Sequence, residues 1–96
     1  MILSFKDETT AALYHGKSTR YIRRIPPNII SVALRKLDMI NAAYRLNDLR
    51  EPSGNRLELL KGDLAGYYSI RVNEQWRIVF RWEDNNAHEV SLTDYH

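Results

Sequence analysis

The chain reads as two halves of different period. From Pro27 onward Ile30, Ala33, Leu34, Leu37, Ile40 and Tyr44 recur every three or four residues. That spacing predicts one apolar stripe along a helix opened by a proline in its first turn. Arg35, Lys36 and Asp38 fall off the stripe and are expected in water. Ahead of this helix, residues 1–6 alternate loosely and predict a short strand tied into a sheet. Residues 7–15 place acidic side chains before Ala11-Ala12-Leu13-Tyr14 and close on Gly16, which predicts one or two helical turns. The basic stretch Lys17, Arg20, Arg23 and Arg24, ended by Pro26-Pro27, reads as a loop or irregular turn. Residues 45–54 gather Asn47, Asp48, Pro52, Ser53 and Gly54, the turn formers of a second loop.

Beyond that loop the period becomes two. Leu57 and Leu59 alternate with Arg56 and Glu58; Tyr68, Ile70 and Val72 with Tyr67, Ser69 and Arg71; Trp76, Ile78, Phe80 and Trp82 with Arg77, Val79 and Arg81. These segments predict strands, and residues 88–95 a last one with Val90 and Leu92 on one face, after the turn Asp84-Asn85-Asn86. A three-residue loop, Asn73-Glu74-Gln75, pairs Ile70 with Ile78 and Tyr68 with Phe80, and leaves Arg71 facing Arg77 and Tyr67 facing Arg81. A two-residue loop would mix the faces, so parity favours the odd one. One face is then core and the other arginine with tyrosine. Directly opposed guanidinium groups repel unless a carboxylate or a bound anion neutralises them.

Length and composition narrow the possibilities. Ninety-six residues, 44% hydrophobic and 27% charged, suit one globular domain, 1–96, and fit neither a disordered chain nor a fibrous repeat. The apolar run at residues 29–33 falls far short of the ~20 a bilayer span requires, and the opening residues lack the length of a signal sequence, so a cytoplasmic protein is expected. The absence of cysteine excludes a disulfide framework and a thiolate metal site. The net charge is only +2, yet ten of the fourteen cations are arginine and six tyrosines accompany them. Planar, always-charged guanidinium forks beside aromatic rings favour a phosphate-bearing partner such as nucleic acid. No Gly-x-Ser-x-Gly, phosphate-cradling glycine loop or metal-spaced histidine pair occurs, and His15, His88 and His96 are scattered.

Several segments together carry a family resemblance. They are Ile2-Leu3-Ser4-Phe5, Leu57-Glu58-Leu59-Leu60-Lys61-Gly62-Asp63, Gly66-Tyr67-Tyr68-Ser69-Ile70-Arg71-Val72, Asn73-Glu74-Gln75-Trp76-Arg77-Ile78 and the closing Asp94-Tyr95-His96. Over nearly its whole length the sequence resembles the HigB branch of the RelE/ParE toxins, the killer half of bacterial toxin–antitoxin pairs. The resemblance implies an α+β fold: a compact, mostly antiparallel sheet, built from an N-terminal strand and a C-terminal meander, with two or three helices packed on one face. It implies a ribosome-dependent messenger endoribonuclease that enters the decoding site of the small ribosomal subunit, needs no cofactor or metal, and is silenced by a HigA-like helix-turn-helix antitoxin, through which alone it reaches operator DNA. The competing reading is a binding toxin of the ParE type that poisons DNA gyrase, or an inactive antitoxin-binding relative.

Cleavage of this kind sends a ribose 2′-hydroxyl at the adjacent phosphorus, and so needs a base, cations for the crowded phosphorane and an acid for the leaving 5′-oxygen. The resemblance assigns those tasks to Arg77, Lys61, Glu58, Asp94, Tyr95 and His96. Arg77 grips a phosphate through paired hydrogen bonds, or is an exposed strand arginine paired with Glu58 or Asp94. Lys61 is a point charge in a turn, or a solvated lysine. Glu58 stands where some relatives carry histidine; it is a weak base, or orients Arg77 or Lys61. Asp94 is a base or orients His96, Tyr95 offers a ring and a phenol, and His96 suits general acid work. RNA-binding candidates are Arg71, Tyr67 and Arg81 on the polar face, and Arg20, Arg23 and Arg24, which contact ribosomal RNA or an acidic antitoxin surface, or form a solvated face.

Overall fold

Asp7 starts the first helix, α1 (Glu8–Tyr14), by accepting the Thr10 amide at 2.7 Å, the N-cap bond that an acidic residue supplies best. The computed structural model describes residues 1–94. A short 3₁₀ turn, Ile22–Arg24, leads through Pro26 into α2 (Pro27–Ala42), whose first helical residue is the expected proline. Two further 3₁₀ turns, Leu46–Arg50 and Ser53–Asn55, fill the predicted loop and bury Leu49 and Asn55. The strands follow as β1 (Glu58–Leu59), β2 (Tyr67–Arg71), β3 (Trp76–Glu83) and β4 (Asn86–Asp94). They form one antiparallel meander in the order β1-β2-β3-β4.

The β2–β3 register is the one parity demands: Tyr67 opposite Arg81, Tyr68 opposite Phe80, Ile70 opposite Ile78, Arg71 opposite Arg77. Asn73 fixes the odd loop, because its carboxamide oxygen accepts the amides of Gln75 at 2.8 Å and Trp76 at 2.7 Å, an Asx turn. The β3–β4 connection is a two-residue turn with Asp84 at φ +52° and Asn85 at φ +62°, the positive dihedrals a tight hairpin needs and these residue types tolerate. In the core, Ile70, Ile78, Phe80, Ala87 and Val90 from the sheet meet Leu13, Ile22, Ala33, Leu37 and Ile40 from the helical layer.

Four expectations are corrected. The apolar stripe is real, but Tyr44 lies beyond the end of α2 and is 81% exposed. Its amide and that of Arg45 are captured by the Asp48 carboxylate at 3.0 Å, which stops the helix. Lys36 is buried rather than solvated, its ammonium hydrogen-bonded to the Asn55 side chain. Leu59 is 59% exposed, because α2 packs against β3 and β4 and leaves the edge strand β1 uncovered. The N-terminal segment makes two parallel bridges to β4, Ile2 with Ala87 and Phe5 with Val90, instead of a continuous strand. Between them Glu89 sits in a bulge at φ +53° and gives its amide to the Ser4 hydroxyl at 2.9 Å, which interrupts the ladder.

Candidate active site

The face of the sheet turned away from the helices carries the predicted arginines. Arg77 is the most enclosed guanidinium among the ion-paired arginines, with 12% of its side chain exposed. It crosses from β3 over β2. Its Nε donates to Ser69 Oγ at 2.7 Å and its Nη2 to the Arg56 carbonyl at 2.9 Å. Arg56 can offer that carbonyl because it stands at φ +46°, in the left-handed region just before β1. Glu58, opposite Ser69 in the β1–β2 register, holds its carboxylate 4.0 Å from Nη1. One edge of the guanidinium is therefore spent on the protein, and Nη1 is left at its outer edge. That geometry suits capture of an anion in a fixed place.

The expected repulsion between Arg71 and Arg77 is relieved by divergence. Arg71 turns toward Glu74, 4.0 Å away, while Arg77 leans toward Ser69 and Glu58. Lys61 is exposed and follows β1 where Leu60 donates to the Tyr67 carbonyl at 2.8 Å. Asp94 is opposite Trp76, one step past the Arg77–Thr93 pair, and accepts from Gln75 Nε2 at 3.2 Å. Strand alternation gives it the parity of Leu92 and not of Arg77. Tyr95 and His96 lie outside the described residues. The structure thus brings Glu58 to Arg77, and sets Lys61 and Asp94 at the two flanking strand ends.

Tyr67 and Arg81 belong to a second cluster on the same face. Glu89 Oε2 accepts from Tyr67 Oη at 3.0 Å and from Arg81 Nε at 3.1 Å, and Glu83 pairs with Arg81 Nη1. Lys6 lies over the Tyr67 ring, its ammonium 5.8 Å from the centroid. The Arg81 and Tyr67 hydrogen bonds hold the Glu89 carboxyl below its ordinary pKa. The Glu89 carboxylate in turn raises the Tyr67 phenol and, with Glu83, the Arg81 guanidinium. Arg81 is accordingly matched by two carboxylates. Arg20, Arg23 and Arg24 are exposed on the connection whose Ile22 packs into the core, across the sheet from Arg77. Among the described residues, no cluster of three or more His, Cys, Asp or Glu could hold a metal ion.

Ser69, Glu89, Lys6 and the Arg56 carbonyl were not singled out in the sequence. Ser69 and Glu89 were within reach of the register: Ser69 shares the parity of Arg71, and extending the β3–β4 pairing sets Glu89 near Arg81. Nothing in the pattern announces Arg56, whose part is played by its backbone.

The chain matches, over residues 3–96, the family described as the RelE-like toxin of the type II toxin–antitoxin system HigB. It belongs to the HigB-like toxins. Among relatives of this HigB-like chain, Toxin HigB-1 of Vibrio cholerae is 44% identical over 87 residues, covering 91% of this chain and 90% of that protein. Endoribonuclease HigB of Proteus vulgaris is 31% identical over 96 residues, the full length of both. In fold, the HigB-like chain is similar to the toxin in a YoeB-YefM complex from Staphylococcus aureus, with a TM-score of 0.62, 24% identity and coverage of 100% of this chain and 98% of that one. The antiparallel meander with helices on one face that the resemblance implied is observed, with the N-terminal strand reduced to two bridges.

Proposed function

We propose that this HigB-like toxin is a ribosome-dependent endoribonuclease that cuts messenger RNA in the A site of the small ribosomal subunit and so halts translation. The observation that carries the reading is the seating of Arg77, an enclosed guanidinium braced by Ser69 and the Arg56 carbonyl, with the Glu58 carboxylate 4.0 Å from Nη1. The relative named Endoribonuclease HigB supports it. In the reaction the ribose 2′-oxygen bonds to phosphorus and gives its proton to a base. The bond to the 5′-oxygen breaks, and that oxygen takes a proton from an acid, leaving a cyclic 2′,3′-phosphate and a 5′-hydroxyl. Arg77 neutralises the phosphorane from a fixed position, which is where preorganised donors act most strongly. Lys61 adds a second, mobile cation. Glu58 orients Arg77, Tyr95 and His96 supply the base and the acid, and Asp94, which shares the parity of Leu92, orients His96.

The remaining cations, Arg71 and Arg20, Arg23 and Arg24, extend the electrostatic footprint for RNA, and Tyr67, with Arg81 beside it, offers a ring on which a base can stack. The partner that silences the toxin is a HigA-like helix-turn-helix antitoxin, and the place of action is the cytoplasm. A solved relative in complex with its antitoxin, YoeB with YefM, is the precedent for such pairing. A cell-free translation reaction read by primer extension tests the reading. Codon-aligned cuts are expected with the native chain, and Arg77→Ala is expected to lower the cleavage rate by about 100-fold or more. Intact message with DNA supercoiling inhibited would replace this reading by the gyrase-poisoning one. Naked RNA cut as fast as ribosome-bound message would remove the ribosome from it.

A further inference from the structure

Arg77 depends on a carbonyl, and that carbonyl depends on something buried. Lys36 on α2 donates through its ammonium to Asn55 Oδ1. The Asn55 side chain is fully enclosed, and its Nδ2 donates to the carbonyls of Leu49 at 3.1 Å and Glu51 at 3.4 Å. The Asn55 amide closes on the Pro52 carbonyl at 3.0 Å and the Arg56 amide on the Ser53 carbonyl at 3.2 Å. Asn55 is thus tied on both its side chain and its backbone to the 3₁₀ turns and to α2. The next residue, Arg56, leaves this knot at φ +46°, a conformation an L-residue seldom takes without outside restraint. Its carbonyl then meets Arg77 Nη2 at 2.9 Å.

We propose that Lys36 and Asn55 are positioning residues for Arg77, acting through the left-handed backbone of Arg56, so that a buried contact in the helical layer sets the pose of a guanidinium on the opposite face of the sheet. Neither touches substrate. The part Arg77 plays in cleavage rests on the function proposed above; its pose does not. An exposed lysine would serve a helix surface as well, whereas a buried ammonium is costly unless something fixes it. Here what fixes it is the carboxamide that also anchors the backbone at Arg56. Relaxing Arg56 to an extended conformation would rotate its carbonyl and withdraw the nearer of the two Nη2 acceptors, leaving Arg77 on the Ser69 hydroxyl and, at 3.5 Å, the Ser69 carbonyl.

The test uses exposed Arg56 rather than the core. Arg56→Gly and Arg56→Val both remove the guanidinium, but only glycine accepts a positive φ freely, and a β-branched residue resists it. The primary reading is the nitrogen-15 NMR spectrum of the Arg77 guanidinium, whose Nε–H and hindered Nη2 signals report the two hydrogen bonds. The native chain and Arg56→Gly are expected to show them resolved and slow to exchange. Arg56→Val, Asn55→Ala and Lys36→Met are expected to broaden or lose the Nη2 signal. In the translation assay, the first two should cut at similar rates and Arg56→Val should lose on the order of 10- to 100-fold in kcat with KM little changed. Unaltered Arg77 signals in Arg56→Val overturn the proposal. So does their loss in Arg56→Gly, which would assign the effect to the side chain. If the native chain and Arg77→Ala prove equally inactive on ribosome-bound message, the endoribonuclease reading falls while the NMR comparison still decides the positioning one.

Discussion

Arg77 and Arg81 sit four residues apart on one strand and face the same way, yet their chemistry differs because their partners do. Arg77 meets neutral oxygens of Ser69 and Arg56 and keeps most of its positive field, with a carboxylate only at 4.0 Å. Arg81 is answered by Glu83 and Glu89. Glu89→Gln is therefore expected to let the Tyr67 phenol ionise at lower pH than in the native chain, measured by ultraviolet titration. The same carboxyl carries a pH signature. Its folded pKa lies below the ordinary 4.5, so its stabilising contribution is complete above that value and is lost as pH falls through the folded one. The stability gap between the native chain and Glu89→Gln, read from urea unfolding, should close in acid. Lys36 behaves in the opposite sense. Burial, and then the charge of Arg35, lower its pKa from 10.5, so the unfolded chain binds that proton more tightly and stability gained from Lys36 rises as pH climbs from the folded value toward 10.5. Asn55→Ala leaves that ammonium without its acceptor and is expected to cost about 3 kcal/mol. The sequence could not reveal this pair, because Lys36 and Asn55 are nineteen residues apart and no period links them.

At the level of elements, the β2–β3 hairpin was legible because two constraints agreed. The alternation of large apolar residues fixed the faces, and only an odd loop kept them matched. Asn73 makes that loop specific, so Asn73→Ala should lower stability by about 1 kcal/mol, seen as a lower thermal midpoint. The bulge at Glu89 was not legible, since it depends on the Ser4 hydroxyl from the opposite end of the chain. The N-terminal segment departs from a continuous strand for the same reason. α2 ends short of Tyr44 because the carboxylate of Asp48 outranks the apolar periodicity that reaches it. In each case the hydrophobic pattern is overruled by a single polar side chain, Ser4 from the far end of the chain or Asp48 from the next turn.

For the molecule as a whole, the meander separates two layers with different duties. The helical side packs the core and displays Arg20, Arg23 and Arg24, while the other side displays Arg71, Arg77 and Arg81. The net charge of +2 conceals this distribution. Replacing Arg20, Arg23 and Arg24 together is expected to weaken ribosome association and flatten its salt dependence by about one unit of slope per lost phosphate contact, with the rate of the bound complex unchanged. Binding measured across a salt series checks this, and an unaltered slope would move those residues to the antitoxin surface. The candidate site was legible where it rests on strand parity, at Arg77 and Glu58. It was hidden where it rests on backbone conformation, at Arg56.

The opening segment runs alongside β4 in the same direction, with the Met1 carbonyl accepting from Ala87 and Phe5 bridged to Val90. The amino terminus consequently leaves the sheet at the edge remote from the Arg77–Thr93 pair, about 20 Å away along the strand at ~3.3 Å per residue. A purification handle or fluorophore attached ahead of Met1 is carried clear of the guanidinium, whereas β4 itself delivers the chain right beside it.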